Sequence, residues 1–117
     1  MKRLASLSEL RAAVWANRAL GEIRRELDGG WKAAVPSAPP RLPRAASRGV
    51  EALLSHRRHS CLEGAIVRQR WLAAHAIYRD VVIGVTSPSE KFTAHAWLDG
   101  EEDSLTAGFV ELTRLSP

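Results

Sequence analysis

Apolar residues in the first quarter of the chain recur at the spacing of an α-helix. With one longer gap, steps of three or four residues separate Leu10, Val14, Leu20, Ile23 and Leu27. The segment Ser6-Leu7-Ser8-Glu9 just before them has the spacing of a capping box, and Asp28-Gly29-Gly30 follows them as a stop. The pattern therefore predicts a long N-terminal helix that starts near Ser6 and ends near Asp28.

A proline-rich stretch separates this helix from the remaining apolar segments. Val35 to Pro43 contains four prolines, which fix φ and remove backbone donors, so we interpret residues 35–46 as an extended connector. A short helix is predicted over Ser47–Leu54. Ser60-Cys61-Leu62-Glu63 is a second capping-box match and predicts a helix that runs to about residue 75.

Strand patterns dominate the last third of the chain. The β-branched run Asp80–Val85 is bounded by turn residues and predicts a buried strand. Phe92–Leu98 and Phe109–Leu115 predict two more strands, and Asp99-Gly100 a hairpin turn. Helices followed by a small antiparallel sheet indicate the α+β class.

The length of 117 residues is that of one domain. We predict a single domain over 1–117, made of an N-terminal helical segment (1–34), the connector (35–46) and a core (47–117). The chain has one cysteine, so an internal disulfide is excluded and a reducing, cytoplasmic compartment is expected. The sequence has no run of about 18 apolar residues, so no membrane-spanning helix is predicted.

Charge is distributed unevenly along the chain. Residues 1–70 hold 14 Lys and Arg against 6 Asp and Glu, a net charge of +8, whereas residues 71–117 carry −4. A basic front half is typical of proteins that bind acidic partners, but it also fits an ordinary solvated surface. Arg57-Arg58 could contact nucleic acid, yet no nucleic-acid-binding motif surrounds them, so no such partner is predicted.

The single cysteine, Cys61, lies at the predicted start of a helix, one residue after the cap Ser60. Unpaired N–H groups and the dipole at a helix start stabilise a thiolate, whereas Glu63 in the same turn opposes it. His95 lies between two alanines in a predicted strand, and a base within hydrogen-bond reach activates a thiol. A lone cysteine is more often an inert core residue, so the residues alone leave both interpretations open.

The histidines at 56 and 59 also precede the cysteine. Together they make a His/Cys metal site conceivable, but structural zinc requires three or four ligands at recurring spacings. Only one cysteine is available, so neither a metal nor a cofactor is predicted.

Four blocks in fixed order resemble a known family. They are Cys61-Leu62-Glu63, Arg70-Trp71-Leu72, Val82-Ile83-Gly84-Val85 and Ala94-His95-Ala96-Trp97. The resemblance as a whole covers about residues 35–115. Their combination is similar to the transglutaminase-like leader peptidases of lasso-peptide biosynthesis, in the stand-alone form. The resemblance implies a transglutaminase- or papain-like core with the cysteine at a helix N-terminus.

By position, the resemblance makes Cys61 the nucleophile and His95 the base of a cysteine peptidase. It implies that the substrate is a ribosomally made precursor peptide whose leader is removed. The family acts beside a separate leader-binding protein and an ATP-using cyclase. Neither nucleic acid nor a membrane is predicted as a partner. The alternatives are an acyltransferase or amidase with the same Cys–His–acid centre, or a non-catalytic basic binding scaffold, since the acceptor of an acyl-enzyme decides the product.

The acid that would orient His95 is predicted at Asp103. With residues 99–101 as a three-residue hairpin loop, Trp97 pairs with Asp103, which puts Asp103 on the face of His95. With a two-residue turn, Glu102 takes that place. Asp99 lies in the turn itself and is interpreted as a turn former.

Overall fold

The computed structural model describes residues 6–28, 35–86, 93–102 and 106–117. The chain divides into two compact units, residues 1–59 and residues 60–117. The division falls downstream of the predicted connector 35–46. In the described ranges the chain has three α-helices and one three-stranded antiparallel sheet, which confirms the predicted α+β class.

The first unit is built on α1, Leu7–Leu27, which begins and ends where the sequence predicts. Ser6 is its N-cap, and the Ser6 hydroxyl accepts a hydrogen bond from the N–H of Glu9 at 3.1 Å. Asp28 follows as the C-cap. No helix in the described ranges is long and apolar enough to cross a membrane.

The buried face of α1 does not include all of the apolar residues that predicted the helix. The helix buries small residues together with Trp15, Leu20 and Ile23, and it packs on α2, Ser47–His56. Leu10 and Val14 are exposed, because the longer gap between Val14 and Leu20 puts them on the opposite side of the helix.

Gly49 marks a close approach between the two helices. A Cβ at this position would lie 2.7 Å from the carbonyl carbon of Glu9. Gly49→Ala is therefore expected to lower the free energy of unfolding by about 1–3 kcal/mol through overpacking. Gly21→Ala is the matched control, since its nearest neighbour is 4.0 Å away, and it should raise helix stability by up to about 1 kcal/mol. Urea unfolding of both variants checks this, and equal effects would contradict it.

The connector runs along α1, as an extended segment with no helix or strand over residues 35–43. Ser37 anchors it, because its carbonyl accepts a hydrogen bond from the Trp15 indole at 2.9 Å and its N–H donates to a Glu22 carboxylate oxygen at 2.7 Å. A short 3-10 helix, Arg44–Ala46, then leads into α2.

The second unit begins with α3, Cys61–Ala73, whose capping box is confirmed. The Ser60 hydroxyl accepts from the N–H of Glu63 at 3.1 Å, and the Glu63 carboxylate accepts from the N–H of Ser60 at 2.7 Å. Further along, the buried amide of Gln69 donates to the carbonyl oxygens of Arg79 and Leu115. These two bonds fix α3 against one end of the sheet.

The sheet contains β1 (Val81–Thr86), β2 (Ala94–Leu98) and β3 (Phe109–Leu115) in the order β2-β1-β3. Both neighbours pair antiparallel with β1. The predicted strands are confirmed within the described residues; Phe92 lies outside them. β1 takes the central place because it is the most apolar strand, and a central strand is covered on both edges.

The turn predicted after β2 is confirmed, but within the described residues no strand follows it directly. Asp99 and Gly100 do form a turn, in which the Glu101 N–H donates to the carbonyl of Leu98 at 3.0 Å and Gly100 has a φ of 94°. Leu98 pairs with Val81, and residues 101 and 102 belong to no strand. The next described strand, β3, lies on the other side of β1. A turn signal identifies the turn but not the strand that lies next to it.

Candidate active site

Cys61 is the first residue of α3 and is exposed. The capping box explains this exposure, since Ser60 and Glu63 satisfy each other and leave the intervening turn at the surface. Glu63 is buried, and its carboxylate accepts a hydrogen bond from the Ser60 N–H. This bond stabilises the start of the helix. The thiol is thus held on a rigid helix end.

The outer edge of β2 lies against this helix end. The N–H of Asp99 donates a hydrogen bond to the carbonyl of Asp80, the residue just before β1. In an antiparallel pair, the N–H groups of alternate residues point towards the partner strand and those between them point away. Ala96 is three residues before Asp99, so its N–H points away from β1. That N–H donates a hydrogen bond to Cys61 Sγ at 3.4 Å.

This contact brings the two predicted residues together. The Ala96 nitrogen is separated from the Cα of His95 by one carbonyl carbon, a span of about 2.4 Å. Cys61 Sγ therefore lies within about 6 Å of the Cα of His95, given its 3.4 Å contact with Ala96. The fold thus joins residues that are 34 positions apart in the sequence.

The ring of His95 packs in a small aromatic cluster. Its centroid is 5.7 Å from that of Trp97 and 5.5 Å from that of Phe109, with interplanar angles of 27° and 41°. Trp97 shares its strand face, two residues along, as the strand geometry requires. Contacts on two sides restrict the imidazole to few orientations.

Gly84 makes this cluster possible and was not recognised as a site residue from the sequence. It lies opposite His95 in β1. A Cβ at this position would lie 2.8 Å from Cη2 of Trp97 and 3.0 Å from Cβ of Phe109. The only signal in the sequence was a glycine inside a β-branched run, which marks a close approach without naming the neighbour.

The three candidate acids, Asp99, Glu102 and Asp103, differ in their positions and hydrogen-bond partners. Asp103 lies outside the described residues. The Glu102 carboxylate accepts a hydrogen bond from the N–H of Gly100 at 2.9 Å. Asp99 is four residues from His95 along the strand direction, a distance of about 13 Å, which is too far for a hydrogen bond.

Asp99 has a different partner. Arg114 Nη1 lies 2.9 Å from an Asp99 carboxylate oxygen, and Arg114 also binds Glu111 at 2.8 Å. Hydrogen bonding to Arg114 lowers the pKa of Asp99, with a smaller effect of Glu102, and Arg114 likewise lowers the pKa of Glu111. The two carboxylates in turn raise the pKa of Arg114. Asp99 therefore belongs to a surface ion-pair cluster.

Two of the other three histidines lie within hydrogen-bond distance of backbone carbonyls. His59 Nε2 lies 2.9 Å from the oxygen of Leu54, and His75 Nδ1 lies 2.9 Å from the oxygen of Trp71. Within the described part of the chain, no three His, Cys, Asp or Glu side chains are grouped so that they could hold a metal ion.

Comparison with known proteins identifies the family of this chain. No curated protein and no solved structure matches the chain. A family model described as the transglutaminase-like superfamily matches residues 3–115. Its members generally carry cysteine peptidase or acyltransferase activities at a Cys–His–Asp centre. Because the match covers nearly the whole chain, this protein belongs to the transglutaminase-like superfamily.

Proposed function

We propose that this protein is a cysteine peptidase that removes the leader from a ribosomally synthesised lasso-peptide precursor. The hydrogen bond from the Ala96 N–H to Cys61 Sγ carries the proposal, because it brings an exposed thiol to the backbone of His95. Membership of the superfamily supports thiol chemistry at this centre. The four sequence blocks that begin at Cys61 support the narrower assignment to leader removal.

In the proposed reaction Cys61 is the nucleophile and His95 the base. His95 takes the proton of the Cys61 thiol while the sulfur attacks the carbonyl carbon of the scissile peptide bond. The resulting intermediate collapses when the protonated His95 gives that proton to the leaving amine. This step breaks the C–N bond and leaves the leader as a thioester on Cys61. Water then attacks the thioester, His95 accepts its proton, and the free thiol is restored.

The start of α3 offers donors for the oxyanion of each intermediate. Within the described ranges the N–H groups of Cys61 and Leu62 have no hydrogen-bond partner, as expected for the first turn of a helix. Such donors are effective when they are fixed before the reaction, and the capping box at Ser60 fixes this turn. The Cys61 N–H is the proposed donor.

Asp103 remains the proposed acid that orients His95. The two alternatives are engaged elsewhere, Asp99 with Arg114 and Glu102 with Gly100. We expect Asp103→Asn to lower kcat/KM by about 10²–10⁴-fold, because an amide leaves the imidazole without its charged partner. Asp99→Asn and Glu102→Gln should stay near wild type on the same peptide. A near-wild-type Asp103→Asn beside a large loss in either control would contradict the assignment.

Cleavage is expected to depend on a delivery partner. A chain of 117 residues has little surface for a long leader, since an ordinary interface takes about 800 Å² per partner. We propose that a separate leader-binding protein presents the precursor and that an ATP-using cyclase takes the product. At low precursor concentration, adding the leader-binding protein should raise the initial rate by at least about tenfold, because tethering raises the effective concentration. Equal rates would argue against this dependence.

One isotope experiment separates the peptidase from the acyltransferase. A lasso-peptide precursor and its leader-binding protein are incubated with the full chain in H₂¹⁸O, with and without a primary amine. A peptidase yields a leader whose new carboxylate carries one ¹⁸O from the attacking water. A leader amide that forms at the expense of this acid would favour the acyltransferase, and no product of either kind would favour the non-catalytic scaffold.

A further inference from the structure

The first unit contains an apolar groove that the chemistry at Cys61 does not use. The groove has a volume of about 610 Å³ and lies between one face of α1 and the connector. Leu7, Leu10 and Val14 line it from the helix, and Ala38 and Pro40 from the connector.

The three helix residues form a second apolar face of α1. They occupy positions i, i+3 and i+7, and they lie on the opposite side of the helix from the residues packed on α2. Their exposed fractions are 74% for Leu7, 54% for Leu10 and 61% for Val14. Single exposed aliphatic residues are ordinary, whereas a row of three along a groove is typical of an interaction site.

The walls of the groove are held in place. The Trp15 indole lines it and donates to the Ser37 carbonyl at 2.9 Å, while Glu22 accepts from the Ser37 N–H. These bonds fix the connector to α1 at a proline-rich, conformationally restricted segment. A preformed groove binds its partner without the entropy cost of ordering its walls.

Two arginines add charge to this apolar lining. Arg11 and Arg18 both line the groove, and in the described ranges neither has a hydrogen-bond or ion-pair partner. Seven residues separate them on α1, so they are about 10 Å apart along the helix axis. The first unit as a whole holds 12 Lys and Arg against 5 Asp and Glu, a net charge of +7.

We propose that this groove docks an acidic amphipathic helix of a partner protein. Aliphatic side chains of that helix at i, i+3 and i+7 would cover Leu7, Leu10 and Val14, as in helix-in-groove recognition. Carboxylates about two turns apart would pair with Arg11 and Arg18. The described residues that line the groove all belong to the first unit, and none of them takes part in the proposed chemistry at Cys61.

Charge argues against two other occupants. A second copy related by two-fold symmetry would bring the arginines of one groove towards those of the other, which is repulsive. Nucleic acid would pair with the arginines but would leave three aliphatic side chains against a phosphate backbone. A segment with both apolar and acidic side chains matches the apolar residues and the arginines of the described lining.

The test uses a fluorescein-labelled helical peptide of about 18 residues with leucines at i, i+3 and i+7 and glutamates beside them. Binding to the full chain is followed by fluorescence anisotropy, with a peptide carrying lysines in place of the glutamates as comparison. The Glu peptide should bind and the Lys peptide should not. Val14→Glu should weaken binding of the Glu peptide by at least about tenfold, because it inserts a charge into the apolar row.

A charge-swap variant makes the test specific. The double variant Arg11→Glu/Arg18→Glu should bind the Glu peptide at least about tenfold more weakly than wild type and should bind the Lys peptide, which the wild type does not. Arg48→Glu, an exposed site on α2, is the matched control and should change neither affinity. Circular dichroism confirms that each variant is folded. Equal binding of both peptides, displacement of the Glu peptide by duplex DNA, or self-association that Val14→Glu abolishes would overturn the proposal.

Discussion

Cys61→Ala is expected to abolish cleavage of the precursor while the protein stays folded. The loss should exceed about 10³-fold in kcat, because no other residue supplies a thiol and the acyl-enzyme cannot form. The change in the free energy of unfolding should stay within about 0.5 kcal/mol, since the side chain is exposed. Product formation is measured by mass spectrometry, and folding by circular dichroism and thermal unfolding.

The single cysteine provides an independent control. One equivalent of iodoacetamide should modify Cys61 alone, stop cleavage in the wild type and leave no adduct on Cys61→Ala. Modification that leaves activity intact would remove the thiol from the mechanism. Turnover by the alanine variant in a preparation free of wild type would falsify the assignment directly.

His95→Ala is expected to cause a loss of similar size. The base and the nucleophile act as one unit, so the double variant Cys61→Ala/His95→Ala should be no slower than either single variant. His95→Phe separates chemistry from packing, because phenylalanine keeps an aromatic ring against Trp97 and Phe109 but cannot accept a proton. Cleavage assays with thermal unfolding should therefore find His95→Phe folded and inactive.

The other histidines supply matched controls for this prediction. His59→Ala should retain wild-type kcat/KM, because His59 contacts the Leu54 carbonyl. His56→Ala should retain it as well, since no metal is predicted at these positions. If His95→Phe cleaves the precursor as fast as wild type, or if His59→Ala loses as much activity as His95→Ala, the base has been assigned wrongly.

Local features of the sequence determined the helices and most strand limits. Ser6 and Ser60 each precede a glutamate by three residues, and both cap their helices as predicted. The segment 109–115 was predicted with its observed limits. These signals are sufficient because a cap and a period-2 or period-3.6 pattern involve neighbours within a few residues. The position of Cys61 at a helix start followed from the same local logic.

The tertiary structure alone decided which strands are neighbours. The turn at Asp99-Gly100 was predicted correctly, but β2 pairs with one edge of β1 and the next described strand, β3, pairs with the other edge. Pairing depends on which edge of a strand is free and which strand is most apolar, and both are properties of the assembled sheet. The predicted pairing of Trp97 with Asp103 stays a prediction, because Asp103 lies outside the described residues.

The sequence by itself thus determined the elements and predicted the two candidate site residues, Cys61 and His95. Only the tertiary structure placed the Ala96 N–H within hydrogen-bond distance of the thiol and packed the Trp97 ring against Gly84. It also decided that Leu10 and Val14 lie on an exposed face of α1. Those outcomes depend on contacts between residues far apart in the chain. Such contacts are set by the packing of whole elements, which no local pattern of spacing encodes.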